Sequence, residues 1–289
     1  MNWTNLYSDR DGQWLKGNLH THTSPASGCS VIPINDCLDR YVELGYDFVS
    51  VSDHMTYTDV SDDRIILISG IEWNSERGEH MGVYCTDSSV LLKAIESTEQ
   101  DPLLEYLSTT DALVVLNHPN WQHVPHYRRE ELDRKQHYAG IEVYNGVIER
   151  LDGAAISSDK WDYLLVQGKK VLGFANDDSH CHSDIGLACN VVRSKSNEPA
   201  DILDALKSGN FYGSSGVMID DIRRTGDVIE IETSDAQEIR VIVDGGPMVQ
   251  RVQDTSISFD TSELQTQYVR FELFGQGSNM AWTQPFFLR

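Results

Sequence analysis

Nine side chains able to hold a metal ion or carry a proton recur along the first two thirds of the chain: His20, His22, Asp53, His54, Glu72, His80, His118, Asp178 and His180. His20 and His22 close the segment Gly17-Asn18-Leu19-His20-Thr21-His22, and Asp178 and His180 repeat the same spacing. In an extended strand, residues two apart share a face, so each pair can reach one ion. Imidazole and carboxylate without thiolate suit Zn, Mn or Fe in a hydrolytic centre and argue against a structural, cysteine-held zinc. A single histidine is more often a surface or core residue than a ligand. The joint placement carries the signal, because nearly every one of these groups sits at the end of an apolar run. The remaining histidines, His123, His126, His137 and His182, lie in loops or beside a ligand and are read as non-ligands.

Such groups meet only if the runs that precede them are neighbouring strands. The runs are residues 14–19, 48–51, 65–68, 81–84, 113–116, 141–144 and 171–175, several rich in Val and Ile. They alternate with loops and helical segments, which reads as successive βα units with buried parallel strands. In a barrel of parallel strands, residues just after each strand share the C-terminal rim, where an active site forms. Residues 35–45 predict a helix, with Asn35 as cap, apolar Leu38, Tyr41, Val42 and Leu44, and Gly45 as stop. Further helices are predicted over 160–167 and from Pro199 to about 208. From about Gly216 the period becomes two: Ile239, Val241 and Val243 alternate before Asp244-Gly245, and Val269, Phe271 and Leu273 alternate with Arg270 and Glu272. We therefore expect an α/β domain over 1–216 and a small antiparallel β domain over 217–289. No Ser, Gly or Pro-rich linker separates them, so they should pack together.

The bulk numbers narrow the partners. The chain has 289 residues, 40% hydrophobic and 24% charged, as ordinary globular proteins do, so disorder is disfavoured. A formal net charge of -22 should repel a nucleic acid duplex except where bound metal inverts the local sign. No run of 18 or more apolar residues occurs and residues 1–10 are polar, so neither a membrane span nor a secretory leader is expected. The five cysteines, Cys29, Cys37, Cys85, Cys181 and Cys189, form no CxxC pair and read as reduced thiols of a cytoplasmic protein. Oligomeric state is left open.

The motifs Asn18-Leu19-His20-Thr21-His22-Thr23, Val51-Ser52-Asp53-His54, Gly70-Ile71-Glu72, Glu79-His80-Met81-Gly82, Asn117-His118-Pro119 and Asp177-Asp178-Ser179-His180 resemble the PHP (polymerase and histidinol phosphatase) superfamily in order and approximate spacing. In the tail, Phe211-Tyr212-Gly213-Ser214-Ser215-Gly216 and Ala281-Trp282 look like the branch that contains carbaryl-hydrolase-like metallohydrolases. The resemblance implies a distorted (β/α)7 barrel followed by the small β domain, with two or three divalent ions at the rim. Carried over, it implies that His20, His22, Glu72 and Asp178 hold one ion. Glu72, His80 and His118 would hold a second, with Glu72 as the bridge. His54 and His180 would bind a third together with an acid or His from the loop after the first pair. Here that loop reads Ser24-Pro25-Ala26-Ser27-Gly28 and offers neither.

Two ions sharing a carboxylate bring a bridging water from pKa 15.7 towards about 7 and so provide hydroxide at neutral pH. The expected activity is hydrolysis of a small phosphate ester, with Glu72 as bridge and His54 or His180 assisting the leaving group or contacting a substrate oxyanion. Arg77 is a candidate substrate contact in a loop. A carbamate or carboxylic ester hydrolase with the same centre is the alternative, and a non-catalytic metal-binding module is a third reading.

Overall fold

The computed structural model describes residues 6–7, 11–121 and 127–288. His123 and His126 lie outside the described residues. Ten strands build the part that carries the candidate ligands: β1 (Gln13–Asn18), β2 (Phe48–Val49), β3 (Ile66–Leu67), β4 (Gly70–Asn74), β5 (His80–Tyr84), β6 (Leu113–Leu116), β7 (Gly140–Asn145), β8 (Leu172–Asn176), β9 (Cys189–Ser194) and β10 (Phe211–Ser214). The predicted first helix is Ile34–Glu43, which buries Cys37, Leu38 and Tyr41 on one face and ends before Gly45 at φ 69°. It starts behind Pro33 rather than at an Asn35 cap. The second and third predicted helices are Ser158–Val166 and Pro199–Lys207, the latter opened by its proline. Two more, Ser88–Ile95 and Gln100–Leu107, were not read from the sequence, although Asp87 caps the first by accepting from Ser89 N–H.

The result is a mixed α/β fold rather than a run of parallel strands. β1, β2 and β3 pair in parallel, as do β6, β7 and β8, but β4 and β5 pair antiparallel and so do β5 and β6. The cause is the connection: a loop over residues 75–79 is too short for a crossover and forces a hairpin. Strands β4 to β8 form a five-stranded sheet, and β1 to β3 belong to a second sheet. The two sheets meet beside the candidate ligands through parallel bridges between Thr21 and Ser179 and between His54 and Glu72.

The tail contributes β11 (Asp221–Thr225), β12 (Val228–Glu232), β13 (Glu238–Val243), β14 (Met248–Val252), β15 (Ser256–Asp260), β16 (Tyr268–Phe274), β17 (Met280–Thr283) and β18 (Phe286–Phe287). Strands β11, β12 and β15 make their own three-stranded antiparallel sheet. The others do not stand alone. β17 pairs with β10, which pairs with β9, which pairs with β1, so one sheet runs from the first strand of the chain to β14. Polar contacts strengthen the junction: Gln284 Oε1 accepts from Gly173 N–H at 2.9 Å, and its amide donates back to Gly173 O at 2.8 Å. Among the described residues no helix is long and apolar enough to cross a membrane.

Candidate metal centre

Strand β1 continues into His20 and His22, whose Nε2 atoms lie 3.1 Å apart in a fully buried position. Their protonation follows from what their other nitrogens touch. His20 Nδ1 lies 2.8 Å from Glu142 Oε1, and a carboxylate can only accept, so Nδ1 carries the proton. Ser27 Oγ spends its own hydrogen on Asp53 Oδ1 at 2.7 Å, so His22 Nδ1, 3.2 Å away, must donate to it. Both Nε2 lone pairs therefore face inward. They meet Asp178 Oδ1, 3.1 Å from each, and Glu72, whose oxygens lie 3.2 Å from His20 and 3.3 Å from His22.

Four acceptors facing one another repel unless a cation sits among them. Donors about 2.1 Å from one ion lie about 3.0–3.4 Å from each other, the spacing found here. Glu72 extends the pattern, because its carboxylate also lies 3.0 Å from His54 Nδ1, 3.1 Å from His80 Nδ1 and 3.3 Å from His118 Nε2. His54 Nδ1 and Glu72 Oε2 are buried and make no hydrogen bond despite their proximity, so they converge on a common point rather than on each other. Four overlapping triads of donors result: His20, His22 and Glu72; His20, His118 and Asp178; His54, Glu72 and His80; and His22, His54 and His180. The residues present fit divalent ions.

The electrostatics agree. Burial opposes charge on Glu72, yet His20, His54 and His80 outweigh it and hold the carboxyl well below the usual carboxylate range. Asp178 is likewise held down by His20 and His22 against its burial. Burial would lower His20, but Asp178, Glu72 and Glu142 hold it well above its ordinary value. His54 and His180 are pushed up to about 11 and about 9, again against their burial, chiefly by Glu72 for the first and by Cys29 and Asp178 for the second. Two of the candidate ligands sit in the left-handed region, His118 at φ 31° and Asp178 at φ 54°, a conformation that non-glycine residues keep where the surroundings impose it.

The structure places Asp53 outside the convergent donors, which corrects its assignment as a ligand. Its oxygens accept from Thr23 N–H, Thr23 Oγ1, Ser27 Oγ and Thr58 Oγ1 at 2.6–2.9 Å, leaving it a support for the loop beneath His22. Arg77 lies in the β4–β5 loop and lines a groove with Glu79, Asp101 and Lys135, which abuts the site through Tyr127 Oη donating to His80 O. His137 and His182 stand on the surface near Glu105 and Asp36.

Three contributors escaped the sequence reading. Glu142 on β7 is fully buried and saturated: Oε1 accepts from His20 Nδ1 and Asn176 Nδ2, and Oε2 from His118 N–H and Asn145 Nδ2. With no lone pair left for an ion it is a positioning residue, and only its place near the end of a predicted strand hinted at it. Trp121 packs its ring edge-on against His118 and His80, with centroids 5.0 and 5.7 Å away, and forms a wall of the site. Cys29 follows Gly28 in the loop after His22 and is influenced by His54 and His180. Burial would raise its thiol, but the two imidazoles bring it down to about 6.

Replacing Glu142 by glutamine is expected to weaken metal affinity about 10–100-fold, the usual effect of losing an outer-shell partner. Competition against a chromophoric chelator measures it. Unchanged affinity would mean that Glu142 merely fills space.

No protein-family profile and no curated relative matches the sequence. The fold is similar to that of a two-domain protein from Bacteroides vulgatus containing a predicted PHP-like metal-dependent phosphoesterase, at 16% identity over 96% of each chain with a TM-score of 0.52. It is also similar to a lesion-specific endonuclease, PfuEndoQ, from Pyrococcus furiosus, at 14% identity over 68% of this chain and 56% of the other, with a TM-score of 0.53. The resemblance to PHP proteins read from the motifs thus holds at the level of the fold.

Proposed function

We propose that the chain is a metal-dependent phosphoesterase of PHP type. The observation that carries this reading is Glu72, one buried carboxylate within 3.3 Å of five imidazoles, three on Oε1 and two on Oε2. In this reading His20, His22, Glu72 and Asp178 hold one ion, and Glu72, His80 and His118 a second. When bound, divalent ions supply an activated water at neutral pH and positive charge for the group being transferred. Glu142 and Ser27 keep His20 and His22 in the tautomer that turns Nε2 inward. His54 and His180, the most exposed histidines of the cluster at 27% and 20%, serve the leaving-group oxygen, as protonated imidazoles or as holders of a further cation. Arg77 offers charge to a remote anionic part of the substrate. The two sheets, bridged at Thr21 and Ser179 and at His54 and Glu72, are read as the distorted barrel, with residues 1–216 carrying the site and 217–289 covering it.

A carbamate or carboxylic ester is the second reading. It is favoured by the pairing of the two tail motifs on β10 and β17, Gly213 opposite Trp282 and Ser214 opposite Ala281, because these motifs resemble the carbaryl-hydrolase-like branch. The Pyrococcus neighbour puts nucleic acid phosphodiesters among the substrates to assay, although the net charge of -22 disfavours a long duplex. The test loads the chain with Zn, Mn or Fe and compares an aryl phosphate, a bis-aryl phosphodiester and an aryl carbamate. Turnover of a phosphate ester supports the reading, carbamate turnover alone shifts it to the second, and tight metal without any turnover sinks both.

A further inference from the structure

We propose that Asp159 and Lys160 position His118 and Trp121 by gripping both limbs of the connection between β6 and the helix Arg129–Arg134, and so set how tightly the second ion is held. The proposal rests on the two-ion reading and concerns the position of Glu72, His80 and His118 alone. The first limb is residues 117–121, with His118 and Trp121, and the second is residues 127–129, with Tyr127. Lys160 Nζ donates to the carbonyl oxygen of Pro119 on the first limb and to that of Tyr127 on the second. Asp159 spans the same two limbs as an acceptor, from Asn120 Nδ2 at 2.8 Å and from Arg129 Nη2 at 3.0 Å. Two adjacent side chains thus each hold one point on either limb.

Charge explains the lysine. Two carbonyl oxygens aimed at one place repel each other, and an ammonium between them replaces that repulsion with two charge-assisted hydrogen bonds. The helix that supplies the grip is itself fixed: Trp161, next to Lys160, is fully buried and its Nε1 donates to Val171 O at 3.0 Å. The first limb passes the constraint on to the site. His118 keeps φ 31°, a left-handed conformation that persists where the surroundings impose it. Its N–H donates to Glu142 Oε2 at 2.7 Å, its carbonyl oxygen accepts from Trp121 N–H at 3.0 Å, and the next carbonyl along the chain is the one that Lys160 takes. On the second limb, Tyr127 Oη donates to His80 O at 2.8 Å. Both imidazoles of the second ion position therefore follow the limbs, whereas His20 and His22 are carried by the end of β1.

The experiment titrates Zn into the full chain, stripped of metal, against a chromophoric chelator and resolves the two binding steps. His80→Ala identifies which step belongs to the second position. Lys160→Met keeps the reach of the side chain but not its donors, and should weaken that step about 10–100-fold, as loss of an outer-shell partner does, while the other step holds. Lys160→Arg, whose guanidinium can serve two carbonyls, should restore most of the affinity, a rescue that a space-filling role would not produce. Asp159→Ala removes only contacts of a half-exposed side chain and should weaken the same step by a smaller factor, which decides the matter should Lys160→Met fail to fold. Unchanged affinity in these variants, equal weakening of both steps, or no rescue by arginine overturns this proposal and leaves the two-ion reading standing. A wild-type chain that takes up one ion or none overturns both.

Discussion

Glu72→Gln is expected to lose metal and to lower turnover of a phosphate ester by more than the roughly 100-fold that an outer-shell change costs. The substitution is nearly isosteric, so the fold should survive, as a circular dichroism spectrum would confirm. The charge and one acceptor oxygen are lost. An amide nitrogen has no lone pair to offer an ion, so the five imidazoles around this position lose the anionic donor that completes their sets. The bridge between the two ion positions disappears with it. Asn117 Nδ2 donates to Glu72 Oε1 at 2.8 Å, so the glutamine oxygen is held on that side and its NH2 turns to the side of His22 and His54. A variant with full metal content and wild-type turnover would refute the assignment of Glu72 and with it the two-ion centre.

The second large effect concerns the tail. Asp162 on the helix Ser158–Val166 is 5% exposed and receives Arg270 Nε at 2.8 Å, Arg270 Nη2 at 2.6 Å and Tyr268 Oη at 2.8 Å, all from β16. Asp162→Ala would leave the 1% exposed Arg270 guanidinium with Glu272 alone as carboxylate partner and take the acceptor from Tyr268 Oη, and removing one partner of a buried pair costs about 3–5 kcal/mol. For a chain of this size that is roughly 10 °C in melting temperature. Pairing Asp162→Leu with Arg270→Met should recover part of the loss, since the cost lies in the buried guanidinium nitrogens left without an acceptor rather than in the missing salt bridge. Removal of residues 217–289 goes further, because it strips β17 from β10 and exposes the apolar face beneath, so insolubility is the expected result. A soluble, folded chain after that truncation, or an unchanged melting temperature in Asp162→Ala, would show that the tail is an independent module.

The pattern of ligands was legible in the sequence because its cause is local. Strand geometry puts residues two apart on one face, so His20 with His22 could be read as a converging pair without any knowledge of the fold. The ends of apolar runs likewise marked His54, Glu72, His118, Asp178 and His180, and the structure brings all of these into overlapping triads. The same rule overreached at Asp53, which has the right place after a strand but is taken up by hydroxyls from Thr23, Ser27 and Thr58. It overlooked Glu142 because the residue serves His20 from 122 positions away.

The chain's own order of residues was therefore enough to mark which side chains gather into groups that could hold a metal ion, that their strands mix with helices, and that a β-rich tail follows. Three matters were settled only when distant segments met. These were the mixed strand directions, the merging of the tail into the sheet that begins at β1, and the arrival of Glu142 behind His20 and His118. The physical reason is common to all three. Periodicity records which residues share a face, whereas the identity of a hydrogen-bond partner or a neighbouring strand depends on how remote segments pair, and no local pattern encodes that.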